Sequence, residues 1–157
     1  MDTQAVETSL LQFQREHISE TWDEASALIQ AHHEEVGALS REEFQPDREK
    51  YEAFENVGAV HLFTARARGE LAGYSIFTVI PSHRYYPRLS FAEQDILYLA
   101  PKYRGLEAMR FIRWVDIQLQ AQGVQVAIRH VSVRKDYGPL LERLDYIPAE
   151  RTFLRML

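Results

Sequence analysis

Residues 91–122 read FAEQDILYLAPKYRGLEAMRFIRWVDIQLQAQ, and this stretch decides the fold. It begins as an apolar strand that ends near Pro101, passes through a short basic turn that contains Gly105, and continues as a long amphipathic helix. A strand that leads through such a turn into a helix presents backbone N–H groups and the positive end of the helix dipole to a ligand. The stretch therefore predicts a phosphate-binding turn.

The composition excludes several classes of protein. The 157 residues are 46% hydrophobic and 26% charged, which suits one globular domain spanning residues 1–157. Cysteine is absent, which excludes disulfides, thiolate nucleophiles and cysteine-ligated zinc. The net charge of -5 argues against a nucleic-acid partner. No secretion signal and no apolar run near the ~20 residues that span a bilayer is present, so we expect a cytoplasmic protein without membrane contact.

Hydrophobic periodicity predicts the element order β-α-α-β-β-β-α-β-α-β. The order gives a mixed α/β layer fold, in which the helix after Gly105 is a right-handed crossover between two strands. The last strand would lie at a sheet edge, where a second copy of the chain could pair with it to form a homodimer. The predicted elements are a strand at 10–14, a helix from a capping box at Thr21-x-x-Glu24 to Gly37, a helix at 47–56, hairpin strands at 60–65 and 71–80, a strand at 91–99, a helix ending at Gly123, a strand at 124–133, a short helix at 137–144 and a strand at 152–157.

Three strings in this order carry a resemblance to a known family. They are Leu71-Ala72-Gly73-Tyr74, the run from Asp95 to Gly105, and the run from Gly138 to Tyr146. Over residues 60–146 the chain resembles the GNAT (general N-acetyltransferase) superfamily, and with His83-Arg84-Tyr85-Tyr86 it looks most like small acetyltransferase-type proteins of phages and prophages. The resemblance implies a mixed, mainly antiparallel central sheet with helices on both faces. It also implies that the protein is located in the cytosol of a bacterium or of a phage-infected host.

The resemblance further implies acetyl-CoA as the co-substrate. The pantetheine arm would follow the strand at Leu97, Tyr98 and Leu99. The pyrophosphate would bind the turn formed by Arg104, Gly105, Leu106, Glu107, Ala108, Met109 and Arg110.

The turn departs from the family pattern Q/R-x-x-G-x-G/A, because no register places small residues at both required positions. Whether the pattern is counted from Lys102 or from Arg104, Glu107 occupies one of the two positions that the family fills with a small residue. If its carboxylate faces the diphosphate, the repulsion is ~4 kcal/mol at ~4 Å and an effective dielectric of ~20. Alternatively, Glu107 points into solvent as an ordinary acid of the first helical turn, where it suits the helix dipole.

Acetyl transfer to an amine needs a base, donors for the carbonyl oxygen and an acid for the departing thiolate. Glu93 and Asp95 lie two apart on a strand, so both side chains face one side, where they could raise one another's pKa toward that of a base. The alternative is one solvated acid and one structural hydrogen-bond acceptor. The resemblance implies backbone N–H groups at 97–99 as carbonyl donors, and places the family's tyrosine acid at Leu141, which leaves Tyr137 and Tyr98 as substitutes.

Three other groups of residues have two interpretations each. His130 is either a base or substrate contact, or a hydrogen-bonded core residue. The run His32-His33-Glu34-Glu35 invites a metal site, but adjacent helical residues point about 100° apart and cannot chelate together, so no metal site is predicted. The basic aromatic loop at 83–88 either grips a substrate or partner, or is a surface loop anchored by one buried tyrosine.

The resemblance and these residues together imply two alternative functions. The first is an acyl-CoA-dependent N-acetyltransferase that transfers the acetyl group directly to an amine of a small molecule or a protein. The second is a catalytically reduced family member, such as a phage accessory factor, that binds a host or virion protein.

Overall fold

The computed structural model describes residues 10–39 and 42–157. The strands within these residues form one five-stranded sheet in the order β1-β2-β3-β4-β5. Neighbouring strands are antiparallel except β4 and β5, which are parallel. This confirms the predicted mixed, mainly antiparallel sheet. The elements are β1 (Gln12–Glu16), α1 (Ile18–Val36), α2 (Arg48–Asn56), β2 (Val60–Ala67), β3 (Glu70–Ile80), β4 (Phe91–Leu99), a 3₁₀ turn (Pro101–Tyr103), α3 (Leu106–Ala121), β5 (Val126–Ile128) and α4 (Gly138–Glu142).

Helices cover both faces of the sheet, as predicted. On one face Phe111, Val115 and Leu119 of α3 pack on a buried cluster that includes Phe63 and Phe77. The other face is covered by α1, whose apolar stripe packs on a second cluster. The sheet is therefore the middle of three layers. In residues 10–39 and 42–157, none of the helices combines the length and apolar character needed to cross a membrane.

The hairpin between β2 and β3 follows the predicted boundaries closely. Its two turn residues, Arg68 and Gly69, both have positive φ angles, of 51° and 87°. Two residues with positive φ form the turn whose twist matches that of the flanking strands. The local sequence is enough to specify this hairpin.

The predicted capping box is wrong, because α1 begins before it. The helix starts at Ile18, and the Thr21 hydroxyl donates to the carbonyl of His17 inside the first turn. The backbone N–H of Ile18 donates to the Glu55 carboxylate of α2, at 3.0 and 3.2 Å to its two oxygens. A side chain from another helix therefore caps α1. The predicted end at Gly37 is confirmed.

The C-terminal elements are shorter than predicted. The strand predicted at 124–133 is reduced to Val126–Ile128, which pairs with only three residues of β4. The helix predicted at 137–144 covers Gly138–Glu142. No strand forms at 152–157, and all residues from 147 to 157 are exposed. A strand needs an adjacent edge to pair with, and sequence pattern does not show where that edge lies.

A β-bulge interrupts β4 in its middle. Ile76 pairs with Ile96 while Phe77 pairs with Gln94, so Asp95 is the extra residue on β4. The bulge changes which side chains face α3, because Ala92 packs on that side before it and Leu97 and Leu99 do so after it.

At Gly73, β3 lies too close to β4 to leave room for a side chain. A Cβ placed there would lie 2.5 Å from the Tyr98 carbonyl oxygen and 2.6 Å from Leu99 Cδ1. We expect Gly73→Ala to lower the free energy of unfolding by about 1–3 kcal/mol, because the strands must move apart in a packed core. Urea denaturation measures this change. A loss below about 0.5 kcal/mol would contradict the close approach.

Candidate active site

The parallel strands β4 and β5 separate after a short paired stretch. They pair from Phe91 opposite Val126 to Glu93 opposite Ile128, where β5 ends. Strand β4 continues to Leu99, so the backbone of residues 94–99 has no strand partner on that side within the described chain. We call this space beside residues 94–99 the strand opening. Beside it, β4 is extended and has no neighbouring strand on this side among the described residues.

The β4 residues predicted to contact acetyl-CoA, Leu97, Tyr98 and Leu99, have their side chains in the core. Leu97 and Leu99 pack in the α3-side cluster. Tyr98 is buried on the α1 side, where its ring lies 5.7 Å from that of His32. Burial raises the pKa of Tyr98, so the phenol stays protonated at neutral pH.

The strand opening leads into the predicted turn and the N-terminus of α3. Gly105 has a φ of 94°, in the region that favours glycine, and a Cβ there would meet open space. At the start of α3, the backbone N–H of Met109 donates to the Gly105 carbonyl at 3.1 Å. The predicted phosphate-binding turn therefore leads directly into the N-terminus of α3, where the helix dipole is positive.

The basic side chains of the turn are held by acids. Arg104 makes a bidentate pair with Glu35 of α1, at 2.7 and 2.9 Å, and donates from Nε to the Leu99 carbonyl at 2.7 Å. Arg110 pairs with Glu107 at 3.1 Å, and only 13% of the Glu107 side chain is exposed. Glu107 is therefore not an acid pointing into solvent; its charge is balanced within the turn.

The two predicted carboxylates on β4 have partners on different elements. The Asp95 carboxylate accepts a short hydrogen bond from the Tyr51 hydroxyl of α2. The Glu93 carboxylate lies 2.8 Å from Nε2 of His130, and both side chains are about half exposed. The core interpretation of His130 is therefore wrong, because His130 lies beyond the end of β5 on the surface. The structure brings together Glu93 and His130, a pair that the sequence did not predict.

Tyr137, the predicted acid, is hydrogen-bonded to the His130 backbone and to the side chain of Gln94, which follows Glu93 on β4. Its hydroxyl donates to the His130 carbonyl at 2.9 Å and accepts from the Gln94 amide at 2.9 Å. Burial raises the pKa of Tyr137, which keeps the phenol protonated. Leu141, at the position of the family's usual tyrosine, is buried and apolar.

A buried arginine, Arg129, forms hydrogen bonds with the Gln94 side chain that contacts Tyr137. Arg129 has a side chain that is 0% exposed and pairs with Asp116 of α3 at 2.6 Å. It also donates to the Gln94 side chain at 3.0 Å and to the Tyr146 hydroxyl at 2.9 Å. Sequence reasoning missed this residue, although an arginine inside an otherwise apolar strand pattern is a signal that it has a buried acidic partner.

A cleft of about 480 Å³ lies between the C-terminal end of α1 and the loop after β5. His33 stacks on Phe44 with ring centroids 3.8 Å apart. His32 and Glu35 face away from this cleft: the His32 ring lies near that of Tyr98, and Glu35 binds Arg104. The cleft is lined by Gln30, His33, Glu34, Gly37, Glu42, Phe44 and Arg134.

The loop at 83–88 is anchored by its histidine rather than by a tyrosine. His83 stacks on Phe91 with centroids 4.1 Å apart. Tyr85 and Tyr86 are 69% and 57% exposed, so the prediction of one buried tyrosine is wrong. The basic aromatic loop presents both tyrosine rings to solvent.

The comparison with solved structures identifies the fold. A GCN5-related N-acetyltransferase from Ralstonia eutropha JMP134 superposes with a TM-score of 0.70 and 16% identity over 93% of this chain and 98% of that one. An aminoglycoside acetyltransferase from an uncultured soil metagenomic sample, in complex with sisomicin, gives 0.69 and 16% over 94% and 95%. A predicted acetyltransferase from Clostridium acetobutylicum, solved with acetyl-CoA, gives 0.69 and 10% over 94% and 96%.

The chain therefore has the GNAT acetyltransferase fold, as its sequence predicts. No protein-family model matches the chain, and no curated protein matches it in sequence. The narrower resemblance to phage proteins finds no support among these three structures.

Proposed function

We propose that this chain is a single-domain, acyl-CoA-dependent N-acetyltransferase that transfers the acetyl group directly from acetyl-CoA to an amine. The strand opening carries this proposal. It connects the part of β4 that has no strand beside it in the described chain to the N-terminus of α3 through the Gly105 turn. Acetyl-CoA is an extended molecule with a thioester at one end and a diphosphate further along. In this proposal the thioester end lies in the strand opening, and the diphosphate binds at the N-terminus of α3.

The proposed chemistry uses the groups at the beginning of the opening. The amine nitrogen attacks the thioester carbonyl, a C–N bond forms, the C–S bond breaks and the amine proton passes to a base. Glu93 holds Nε2 of His130, so Nδ1 carries the lone pair that accepts this proton when Nε2 donates to the carboxylate. The N–H groups at 97–99 are the proposed donors to the carbonyl oxygen, and Tyr137 is the proposed acid for the thiolate.

The acceptor in this proposal is a cationic amine. The cleft beside α1 carries the carboxylates of Glu34 and Glu42 and the stacked ring of Phe44. Carboxylates attract an ammonium group and an aromatic face adds a cation–π contact. The structure solved with sisomicin is similar in fold and supports testing polyamine antibiotics first.

The direct test is acetyl-CoA binding and turnover. Calorimetric titration should give a Kd in the micromolar range, about -8 kcal/mol of binding free energy. Thiol release should then depend on an added amine, tested with an aminoglycoside and with a peptide that has a free N-terminus. No heat and no thermal shift at millimolar acetyl-CoA would exclude the enzyme.

The second candidate is a binding module, such as a phage accessory factor that engages a host or virion protein. It is favoured by the internal pairing of the turn, where Glu35 and Glu107 occupy Arg104 and Arg110. Such a protein would keep the fold without acetyl-CoA affinity. The same titration therefore separates the two candidates.

The charge balance in the turn gives a prediction of its own. We expect Glu107→Gln to tighten acetyl-CoA binding by up to about tenfold, or about 1.4 kcal/mol, because Arg110 loses its acidic partner and a carboxylate leaves the phosphate site. Calorimetry measures the change, with Glu70→Gln in the hairpin turn as the matched control. Unchanged or weaker binding would show that Glu107 does not oppose the diphosphate.

A further inference from the structure

The cleft between the end of α1 and the loop after β5 carries charges of both signs. Arg134 lines it together with the carboxylates of Glu34 and Glu42, in a volume of about 480 Å³. Sites for small molecules measure about 300–1,000 Å³. A ligand with ammonium groups alone would match the two carboxylates but would be repelled by the guanidinium. The cleft therefore fits a small molecule that carries an anionic group as well as ammonium.

The Arg134 side chain is available to bind that anionic group. The arginines of the donor turn, Arg104 and Arg110, already have acidic partners. Within residues 10–39 and 42–157, by contrast, the Arg134 guanidinium forms no ion pair and no hydrogen bond. The backbone N–H of Arg134 donates to the Ser132 hydroxyl at 3.2 Å, in the turn that holds this residue. A guanidinium binds a carboxylate through two parallel hydrogen bonds, so a carboxylate is the matching group.

The two carboxylates of the cleft are available to bind an ammonium group. Glu34 accepts a hydrogen bond from the Gln30 amide at 3.1 Å, which is a neutral donor. In the part of the chain that the structure describes, neither Glu34 nor Glu42 pairs with a cation. A hydrogen bond from an ammonium group to a carboxylate is about twice as strong as one between neutral groups. The cleft therefore favours a ligand that has both an ammonium group and a carboxylate, as a free α-amino acid has.

The cleft borders the proposed site of acetyl transfer. One wall is the end of α1, which the Glu35–Arg104 pair fixes to the turn after β4. The opposite wall is the loop after β5, and this loop contains both His130 and Arg134. A ligand bound to Arg134 therefore lies against the same loop as the proposed base.

An aromatic surface in the cleft suits the middle of such a ligand. The His33 and Phe44 rings stack with centroids 3.8 Å apart and an angle of 5° between their planes. The Phe44 residue remains 40% exposed. A flat ring face packs against methylene groups because the contact removes apolar area from water. The ligand that makes all these contacts has methylene groups between an amino-acid head group and a reactive amine.

We propose that the acceptor is a free diamino acid of the lysine or ornithine class, acetylated on its side-chain amine; this inference rests on the proposed acetyltransferase function. The α-carboxylate binds Arg134, and the α-ammonium binds Glu34 and Glu42. The methylene chain lies on Phe44, and the side-chain amine extends toward His130. A lysine inside a protein has neither charge on its backbone, and an aminoglycoside has ammonium groups but no carboxylate.

The transfer balances with the groups already placed at the site. The side-chain ammonium gives one proton to the His130 imidazole, and the neutral nitrogen attacks the thioester carbonyl. A C–N bond forms, the C–S bond breaks, and the nitrogen loses a second proton while the thiolate gains one. The products are the side-chain amide, the CoA thiol and one released proton.

The first test compares amines that differ by one group. Thiol release from acetyl-CoA is measured with lysine and ornithine, with cadaverine and putrescine, which lack only the carboxylate, and with Nα-acetyl-lysine amide, in which the head group carries no charge. We expect kcat/KM for the better diamino acid to exceed that for its decarboxylated partner by about 10-fold to 100-fold, the range for a hydrogen bond to a charged group. Nα-acetyl-lysine amide should be as poor as the diamines.

The second test assigns the carboxylate contact to Arg134. Arg134→Gln should raise KM for the diamino acid by about tenfold or more and leave KM for the diamine unchanged, because only the diamino acid has the carboxylate. Lys135→Gln, which removes the adjacent cation outside the cleft, is the matched control and should change neither value. Calorimetric titration of the diamino acid into protein saturated with CoA, which has no acetyl group to transfer, should show the same weakening of Kd in Arg134→Gln.

The outcomes separate this inference from the function on which it rests. Turnover of diamines, aminoglycosides or the blocked lysine at least as fast as the free diamino acids would overturn the diamino-acid acceptor and leave the acetyltransferase standing. An Arg134→Gln variant that affects diamine and diamino acid equally would overturn the carboxylate contact. No binding of acetyl-CoA and no thiol release with any amine would overturn the proposed function and this inference together.

Discussion

Replacing Arg129 with methionine is expected to lower the free energy of unfolding by about 3–5 kcal/mol, the usual cost of removing one partner from a buried ion pair. The Arg129 side chain is fully buried, and its guanidinium contacts Asp116, Gln94 and Tyr146 together. Without it, the buried Gln94 amide oxygen loses a charged donor, and the Asp116 carboxylate, whose side chain is 31% exposed, loses its cationic partner. Urea denaturation measures the loss.

Two further variants test the cause of this loss. Arg129→Met combined with Asp116→Asn should recover part of the stability, because the uncompensated charge is gone. Arg143→Met, an exposed arginine after α4, should change the stability by less than about 0.5 kcal/mol. A loss below about 1 kcal/mol for Arg129→Met would mean that the pair contributes no more than a surface pair.

Glu93→Gln and His130→Ala are each expected to lower kcat/KM for acetyl transfer by about 100-fold, the lower end of the contribution of a general base. Glutamine keeps the size of Glu93 but removes the charge that orients and stabilises the protonated imidazole. Both side chains are about half exposed, so we expect little change in thermal stability. The amine substrate identified in the turnover assay is used for this measurement.

Two comparisons make this prediction specific. Exogenous imidazole should restore part of the activity of His130→Ala, since a merely structural histidine would not be replaced by a free base. Asp95→Asn should lose less activity than Glu93→Gln, because Asp95 binds the Tyr51 hydroxyl instead of a base. Full activity in both Glu93→Gln and His130→Ala would reject the pair, and a larger loss in Asp95→Asn would assign the role to Asp95.

The sequence predicts the fold well where the signals are local. The hairpin at Arg68-Gly69, the helix that begins after Gly105 and the stop at Gly37 all depend on residues within a few positions of one another. The strand–turn–helix at 91–122 likewise has its elements where the pattern predicts them. These features follow from backbone conformation and hydrophobic period.

The sequence predicts only part of the geometry of the candidate site. Glu93, Tyr137 and the turn residues were named, but Glu93 was paired with Asp95 in the prediction, whereas its partner in the structure is His130. Residues 93 and 130 are far apart in the sequence, and the parallel pairing of β4 with β5 brings them together in space. A period of two along one strand places side chains on a face but does not identify what packs against them.

The sequence by itself determined the order of the main elements, the three-layer arrangement and the presence of a basic glycine turn before a long helix. Only the tertiary structure decided that Glu55 caps α1, that Arg104 binds Glu35 and that β5 ends after three paired residues. The physical reason is how far apart in the sequence the interacting residues lie. Backbone conformation is set by neighbouring residues, but charge pairs and strand edges are formed by residues that meet only after the chain has folded.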